Sequence, residues 1–313
     1  MLIFLAFLSV CLLQAESAQA SRQLLSSFND TGLRQAVDEW LTNESSAEAK
    51  YGHISAWDVG SATNMSSLFR DAASFDEDLS EWNVSGVRNM SSMFEGASEF
   101  NSNISGWNVH NVVDFSAMFK GSSAFNADLD GWEVGRATNF SSMFAGASSF
   151  DRSLRNWDTS GAVHMGWMFS GATSFDGDIS TWRTGSVVDT SAMFFGATAF
   201  SGDLSEWEMG ECRHAHWMFK DATSFDGDLS EWNTTNMEDT SGMFRGAIRF
   251  RGGDLSGWEM GKVELMTGMF RHATSFNGDV SDWDVSSAKY MTGMFENAKR
   301  STETCRPGGR RMS

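Results

Sequence analysis

The fold of this chain is decided by residues 78–101, which read D-L-S-E-W-N-V-S-G-V-R-N-M-S-S-M-F-E-G-A-S-E-F-N. The apolar positions that define this unit are Leu79, Trp82, Val84, Val87, Met90, Met93, Phe94, Ala97 and Phe100. A segment this short cannot bury so many apolar groups by itself. It therefore needs copies of itself to pack against.

The same pattern recurs along most of the chain with a period of 25 residues, interrupted by one inserted residue near Gly252. The tryptophan of the unit marks ten copies, at Trp57, Trp82, Trp107, Trp132, Trp157, Trp182, Trp207, Trp232, Trp258 and Trp283. Stacked copies would lay each layer of Trp, Phe and Met on the same layer of the next copy. The period thus predicts a continuous core in which each repeat contacts only its neighbours.

Two segments of the unit differ in their apolar spacing. Residues 79–84 end with alternating apolar residues, which favours a short strand paired in parallel with the next repeat, about 4.8 Å away. Residues 89–97 are apolar at i, i+3, i+4 and i+7, the spacing of a helix. We predict a leucine-rich-repeat-like solenoid with one short parallel strand and one short helix per turn. A second strand in place of the helix would give an all-β right-handed helix instead.

The unit resembles the BspA-type leucine-rich repeat of surface proteins. The resemblance rests on residues 78–101 and on D-V-S-D-W-D-V-S-S-A-K-Y-M-T-G-M-F-E-N-A at residues 279–298, and it covers roughly residues 51–298. It implies a curved solenoid exported to the cell surface, with binding or adhesion as in the bacterial members, and it carries over no catalytic residues. Four repeats depart from the usual Gly-Ala pair, at Asp71, Asp221, His272 and Asn297.

The two ends of the chain differ from the repeats. Residues 1–20 combine a short apolar run with an A-x-A site, which predicts a secretory signal peptide. Residues 21–50 predict an N-terminal capping helix with Leu33, Ala36, Val37, Trp40 and Leu41 on one face. The ten repeats fill residues 51–298, and residues 299–313 form a polar, basic tail. We therefore expect a secreted or cell-surface protein that keeps no transmembrane span after signal removal.

Composition and motifs exclude several classes of function. Lys and Arg number 23 against 41 Asp and Glu, a formal net charge of −18 in 313 residues, which argues against a nucleic-acid partner. The sequence contains no G-x-S-x-G, H-E-x-x-H, P-loop or dinucleotide motif. The acidic residues recur in register as surface ladders, so we predict that the protein is not an enzyme.

Two repeats carry bulky groups where the other copies have Ser or Ala. His164-Met165-Gly166-Trp167 and His214-Ala215-His216-Trp217 lie two repeats apart, which predicts about 10 Å between them. Trp167 and Trp217 would form an exposed aromatic patch for a glycan or protein, with His164, His214 and His216 beside them. The alternative interpretation is that these side chains fill gaps beside small neighbours.

Acidic residues recur at the turn before the predicted strand. The pairs Asp176 with Asp178 and Asp226 with Asp228 offer the oxygen ligands that Ca²⁺ prefers. The alternative is that these side chains bond their own turn backbone. Otherwise we predict no cofactor.

Several N-x-[ST] sequons are built into the repeat unit itself. Asn29 and Asn43 lie outside the repeats and are the better glycosylation candidates.

These features lead to three functional hypotheses. The first is a non-catalytic interaction or adhesion protein that binds an extracellular glycan or protein along one face of the solenoid. The second is a structural extracellular protein whose acidic ladders gather cations. The third is a carbohydrate-active enzyme.

Overall fold

Two α-helices lie on the N-terminal side of the repeats in the computed structural model, which describes residues 27–298. Helix α1 spans Asp30–Thr42 and helix α2 spans Glu44–Tyr51, followed by a short 3-10 helix at Ile54–Ala56. Within residues 27–298, no helix is both long enough and apolar enough to cross a membrane. The predicted signal peptide and basic tail lie outside the described residues.

Helix α1 begins after Asn29, whose side chain accepts the Gly32 N–H at 2.9 Å. Its buried face consists of Leu33, Ala36, Val37 and Trp40. Leu41, expected on the same face, is 42% exposed. The expectation was wrong for Leu41, because this residue lies at the edge of the apolar stripe, one step beyond Val37 around the helix axis.

Helix α1 packs against the first repeat and satisfies its backbone. The ring of Trp40 lies edge-on to Trp57 at 5.8 Å. The Asp30 carboxylate accepts the backbone N–H groups of Thr63 (2.6 Å) and Asn64 (3.0 Å). In the next repeat the equivalent N–H, that of Arg88, donates instead to the carbonyl of Thr63 at 2.8 Å. The carboxylate of α1 therefore takes the place of a preceding repeat at this edge.

Successive repeats pair in parallel through isolated bridges between equivalent residues, running from Asn64 with Asn89 to Leu265 with Tyr290. Alternate backbone N–H groups extend this pairing. Met90, Ser92 and Phe94 donate to carbonyls of the next repeat at 2.8–3.0 Å. Each repeat is thus hydrogen-bonded along one edge to the repeat that follows it.

The secondary structure inside each repeat differs from the prediction. Residues 89–97 form consecutive turns rather than a helix, and residues 79–84 contain a turn closed by Trp82 N–H to Leu79 O at 3.0 Å rather than a strand. Alternate N–H groups of residues 89–97 donate across to the next repeat, and those of Met93, Glu95 and Ala97 donate to the i−3 carbonyl rather than to the i−4 carbonyl of an α-helix. In addition, Ser92 (φ 56°) and Gly96 (φ 75°) have left-handed backbone conformations that a right-handed helix excludes. Two successive turns direct the apolar residues of this segment into the core, and these residues have the same spacing in sequence as one face of a helix.

The core is a set of aromatic and aliphatic columns, each running from repeat to repeat. The apolar positions of the unit at residues 78–101 are all buried, as predicted. Phe94 and Phe119 stack with ring centroids 5.7 Å apart and an angle of 2° between the rings. The indole N–H of each repeat tryptophan is also satisfied, as in the Trp107 donation to Leu79 O at 2.9 Å. These contacts support the solenoid, and the leucine-rich-repeat-like class itself stays a prediction.

Candidate functional site

Trp167 and Trp217 are among the most exposed large apolar side chains of the described chain, at 39% and 38%. Both occupy the same position of the repeat, and both have a positive φ, 63° and 59°. Other repeats place a small residue there, at Ser67, Ser92, Ala117, Ser142, Ala192, Gly242, Gly268 and Gly293. A bulky residue in the left-handed region is a genuine outlier, and such outliers concentrate at functional sites.

The two indoles meet on the surface. Their ring centroids lie 6.3 Å apart with an angle of 87° between the planes, so one ring presents its edge to the other. This is closer than the spacing of two repeats suggested. The rings can approach because the repeat between them has only Ala192 at this position.

Phe195 and Lys220 complete the cluster, and the sequence analysis missed both. The Phe195 ring lies 6.2 Å from that of Trp167. The Lys220 ammonium lies over two rings, 4.6 Å from the centroid of Phe195 and 5.1 Å from that of Trp217. We call Trp167, Phe195, Trp217 and Lys220 the aromatic patch. The available signal was Phe195 itself, an aromatic residue at a position where other repeats have Glu95, Lys120, Ala145 or Ser170.

The ring of Trp217 packs closely against Gly242 of the following repeat. A Cβ atom added to Gly242 would lie 2.7 Å from Cδ1 of Trp217, closer than atoms in proteins pack. Gly242 also has φ 59°, a conformation that glycine adopts without strain. The small residue therefore leaves room for the indole of Trp217 beside it.

The three predicted histidines take two different positions. His164 and His214 are exposed and alternate with Asp189 and Asp239 in the column of parallel bridges. His216 is half-buried, with Nδ1 3.0 Å from Ser191 Oγ and 3.6 Å from Asp239 Oδ2. Its ring also lies 5.5 Å from that of Trp217. Of the three, His216 thus adjoins the aromatic patch through Trp217.

The predicted acidic pairs bond mainly to backbone and arginine. Asp178 accepts Ser180 N–H at 3.0 Å and pairs with Arg155 at 2.7 Å. These contacts with Ser180 and Arg155 lower the pKa of Asp178 to about 2. The remaining acceptors are Asp176 for Ser201 N–H, Asp226 for Arg251, and Asp228 for Ser230 N–H. Across residues 27–298, no group of three or more His, Cys, Asp or Glu side chains could hold a metal ion.

The two glycosylation candidates both cap helices. Asn29 caps α1, and the side-chain oxygen of Asn43 accepts Ser46 N–H at the start of α2. Each cap uses the amide oxygen and leaves the side-chain nitrogen, the atom that carries an N-linked glycan, outside that bond. Their use as glycan acceptors stays a prediction.

The comparisons with known proteins agree with the repeat. The model of a family described as "Mycoplasma protein of unknown function, DUF285" matches three times in tandem, over residues 31–155, 128–230 and 211–306. No curated protein matches the chain significantly. The three matches overlap and together span both the N-terminal helix and the stacked repeats. The chain therefore belongs to the DUF285 family of repeat proteins.

Proposed function

We propose that this protein is a secreted or surface-displayed, non-catalytic binding protein that holds a glycan at the aromatic patch. The observation that carries the proposal is the pair Trp167 and Trp217. Both are more than a third exposed, and both are held in a backbone conformation that a bulky residue adopts only at a cost. The resemblance of the unit to BspA-type repeats and the predicted signal peptide support display outside the cell.

Packing alone does not account for these two indoles. Eight other repeats use Ser, Ala or Gly at the same position and keep the same turn. A large residue there costs on the order of 1–3 kcal/mol of backbone strain. A contribution to binding would explain why the cost is tolerated. Gap-filling explains it less well, because more than a third of each residue remains exposed to solvent.

The shape and chemistry of the patch suit a sugar. A pyranose ring has apolar C–H faces, and aromatic side chains offer broad, rigid apolar surfaces with few rotatable bonds. The edge-on pair of Trp167 and Trp217 gives two such surfaces at a right angle, and Phe195 adds a third. Two or more sugar units of one oligosaccharide would contact them together.

Two carboxylates in the column of bridges beside the patch are engaged in local structure. Asp189 accepts Ser191 N–H at 2.8 Å, and Asp239 accepts Ser241 N–H at 2.9 Å. Side chains that hold their own turns favour a binding role over acid–base chemistry at this place.

A glycan array probed with residues 21–313 tests the proposal. The test variant is Trp167→Ser with Trp217→Ala, which installs residues that other repeats already use at this position. Because the turns stay intact, we expect the melting temperature to hold while array binding falls at least tenfold. The matched control is Ser142→Ala, which changes the same position outside the patch. An array without a signal, or a signal that the double variant retains, would contradict the proposal.

A further inference from the structure

We infer that the ligand of the aromatic patch is an acidic saccharide, one that carries a carboxylate or sulfate group. This inference rests on the proposed function and concerns the class of sugar. It is carried by Lys220, a cation lying over two aromatic rings in a strongly acidic protein.

At the repeat position of Lys220, cations of other repeats form ion pairs with carboxylates of this same chain. Arg70 and Lys120 lie one repeat on either side of Glu95, and both form ion pairs with it, at 3.4 and 2.9 Å. Near the other end, Arg271 pairs with Glu296 of the next repeat at 2.8 Å. A carboxylate in the adjacent repeat is therefore the usual partner of a cation in this column.

Lys220 has no such partner. The adjacent repeats place Phe195 and Arg245 at its position, an aromatic ring on one side and a second cation on the other. Over residues 27–298, the ion pairs within 4.0 Å include neither Lys220 nor Arg245. Within these residues, Lys220 therefore lies over the rings of the patch without a carboxylate within 4.0 Å of its ammonium, and the next cation in the column has none either.

The acidic groups near the patch have contacts within the repeats. Asp239 lies 3.6 Å from His216 and also accepts Ser241 N–H, and Asp189 accepts the N–H of its own turn. Oδ1 of Asp221, the next residue after Lys220, lies against Gly246 of the next repeat. These contacts leave the ammonium of Lys220 as the charged group that faces the exposed rings.

The ammonium of Lys220 can attract an anionic group at the patch even though the protein as a whole is negatively charged. The net charge of −18 repels anions from the protein as a whole, but at physiological salt this field is screened beyond about 8 Å. A carboxylate or sulfate on a sugar stacked against Trp217 would lie within reach of Lys220. The charge-assisted hydrogen bond formed there is stronger than one between neutral groups. The patch would therefore select acidic sugars over neutral sugars of the same size.

Calorimetric titrations with four hexasaccharides test the inference. The acidic probes are an alginate hexasaccharide, which carries carboxylates, and a heparin hexasaccharide, which also carries sulfates. The neutral probes are cellohexaose and chitohexaose. The test variant is Lys220→Met, which keeps an apolar stem over the rings. The control is Lys120→Met, which removes a cation from the same repeat position outside the patch.

We expect at least one acidic probe to bind at least tenfold more tightly than both neutral probes. Lys220→Met should remove that preference while Lys120→Met retains it, and raised salt should weaken only the acidic probe. Preference for both acidic probes would point to the carboxylate, and preference for heparin alone to the sulfate. Equal binding of acidic and neutral probes, lost with Trp167→Ser and Trp217→Ala, would overturn this inference and leave the proposed function standing. A lack of binding by all four probes would overturn this inference, and an array without a signal would overturn the proposed function as well.

Discussion

Replacing Phe119 by Ala tests the stacking of the repeats where it is most complete. Phe119 is fully buried in an interior repeat. Its ring stacks on Phe94 and Phe144, both 5.7 Å away in the adjacent repeats, and on Phe125 at 3.8 Å within its own repeat. One substitution at this position therefore disturbs two interfaces between repeats.

The expected loss of stability follows from these contacts. Truncation of a buried Phe to Ala costs about 3–5 kcal/mol through lost transfer free energy and the cavity left behind. The stacked rings, worth about 0.5–1.5 kcal/mol per pair beyond area, place Phe119 toward the upper end. We expect the free energy of unfolding to fall by about 4–5 kcal/mol. Phe119→Leu keeps most of the apolar volume but loses the stacked rings, so it should cost less than Phe119→Ala.

The comparison variant is Phe295→Ala in the last described repeat. Phe295 is 39% exposed, and its ring contacts Phe270 at 5.4 Å and Phe276 at 6.1 Å. Since part of the side chain already lies in water, we expect a loss of about 1–2 kcal/mol. Urea unfolding followed by circular dichroism measures all three variants. Equal losses for Phe119→Ala and Phe295→Ala, or a loss below about 1.5 kcal/mol for Phe119→Ala, would show that the interior column of rings is not what stabilises the repeats.

Three further predictions concern single side chains. Asp221 has φ 59°, a left-handed conformation that glycine adopts without strain and that most repeats fill with glycine. Asp221→Gly should therefore raise the free energy of unfolding by about 1 kcal/mol, and a destabilised variant in the same urea assay would contradict this. Contacts with Ser180 and Arg155 lower the pKa of Asp178 to about 2, so the stability that this carboxylate gives the fold is complete above its ordinary pKa and is lost as the pH falls through 4 toward 2. The melting temperature of Asp178→Asn should therefore fall less steeply with acid than that of the wild type. Parallel curves of melting temperature against pH would count against this. Burial raises the pKa of the Cys212 thiol to about 11. Iodoacetamide at pH 8 should therefore leave this thiol unmodified in the folded protein and alkylate it in 8 M urea, as measured by peptide mass spectrometry. Rapid labelling of the native protein would show instead that the thiol is accessible.

The sequence was most informative where one pattern is repeated many times. A residue such as Trp82 or Phe94 recurs in register, and only a buried column explains that recurrence, so the core could be identified residue by residue. The outward position of Trp167 and Trp217 could also be inferred, because both interrupt a column of small residues. In each case the repeat itself supplied the comparison that a single sequence usually lacks.

The local backbone was harder to predict. Apolar spacing at residues 89–97 cannot distinguish a helix from two turns that direct the same side chains inward. The decisive features are the left-handed conformations at Ser92 and Gly96 and the hydrogen bonds to the next repeat. Serine gives little indication of a positive φ. Once the repeats stack, however, pairing across them satisfies the N–H groups that a helix would otherwise use.

The aromatic patch could be predicted only in part for a related reason. Phe195 differs from the residues at its position in other repeats, but Lys220 does not, and the two belong to different repeats. Their contact depends on how far each side chain reaches across the column. Conversely, Asp176 and Asp178 looked like candidate ligands by spacing, whereas their hydrogen bonds to Ser201, Ser180 and Arg155 engage both carboxylates in the repeat surface.

The indole N–H signals of the tryptophans provide the most direct test of the patch. In the described part of the chain, ten of the 13 tryptophans donate their indole N–H to a backbone carbonyl, whereas Trp167 and Trp217 are exposed. Two-dimensional ¹H–¹⁵N spectra, assigned by single substitutions, can be recorded while the four hexasaccharides are titrated in turn. We expect at least one acidic hexasaccharide to shift the signals of Trp167 and Trp217 and to leave the ten carbonyl-bonded indoles unchanged. Saturable shifts confined to other tryptophans, or no shift with any of the four sugars, would contradict it.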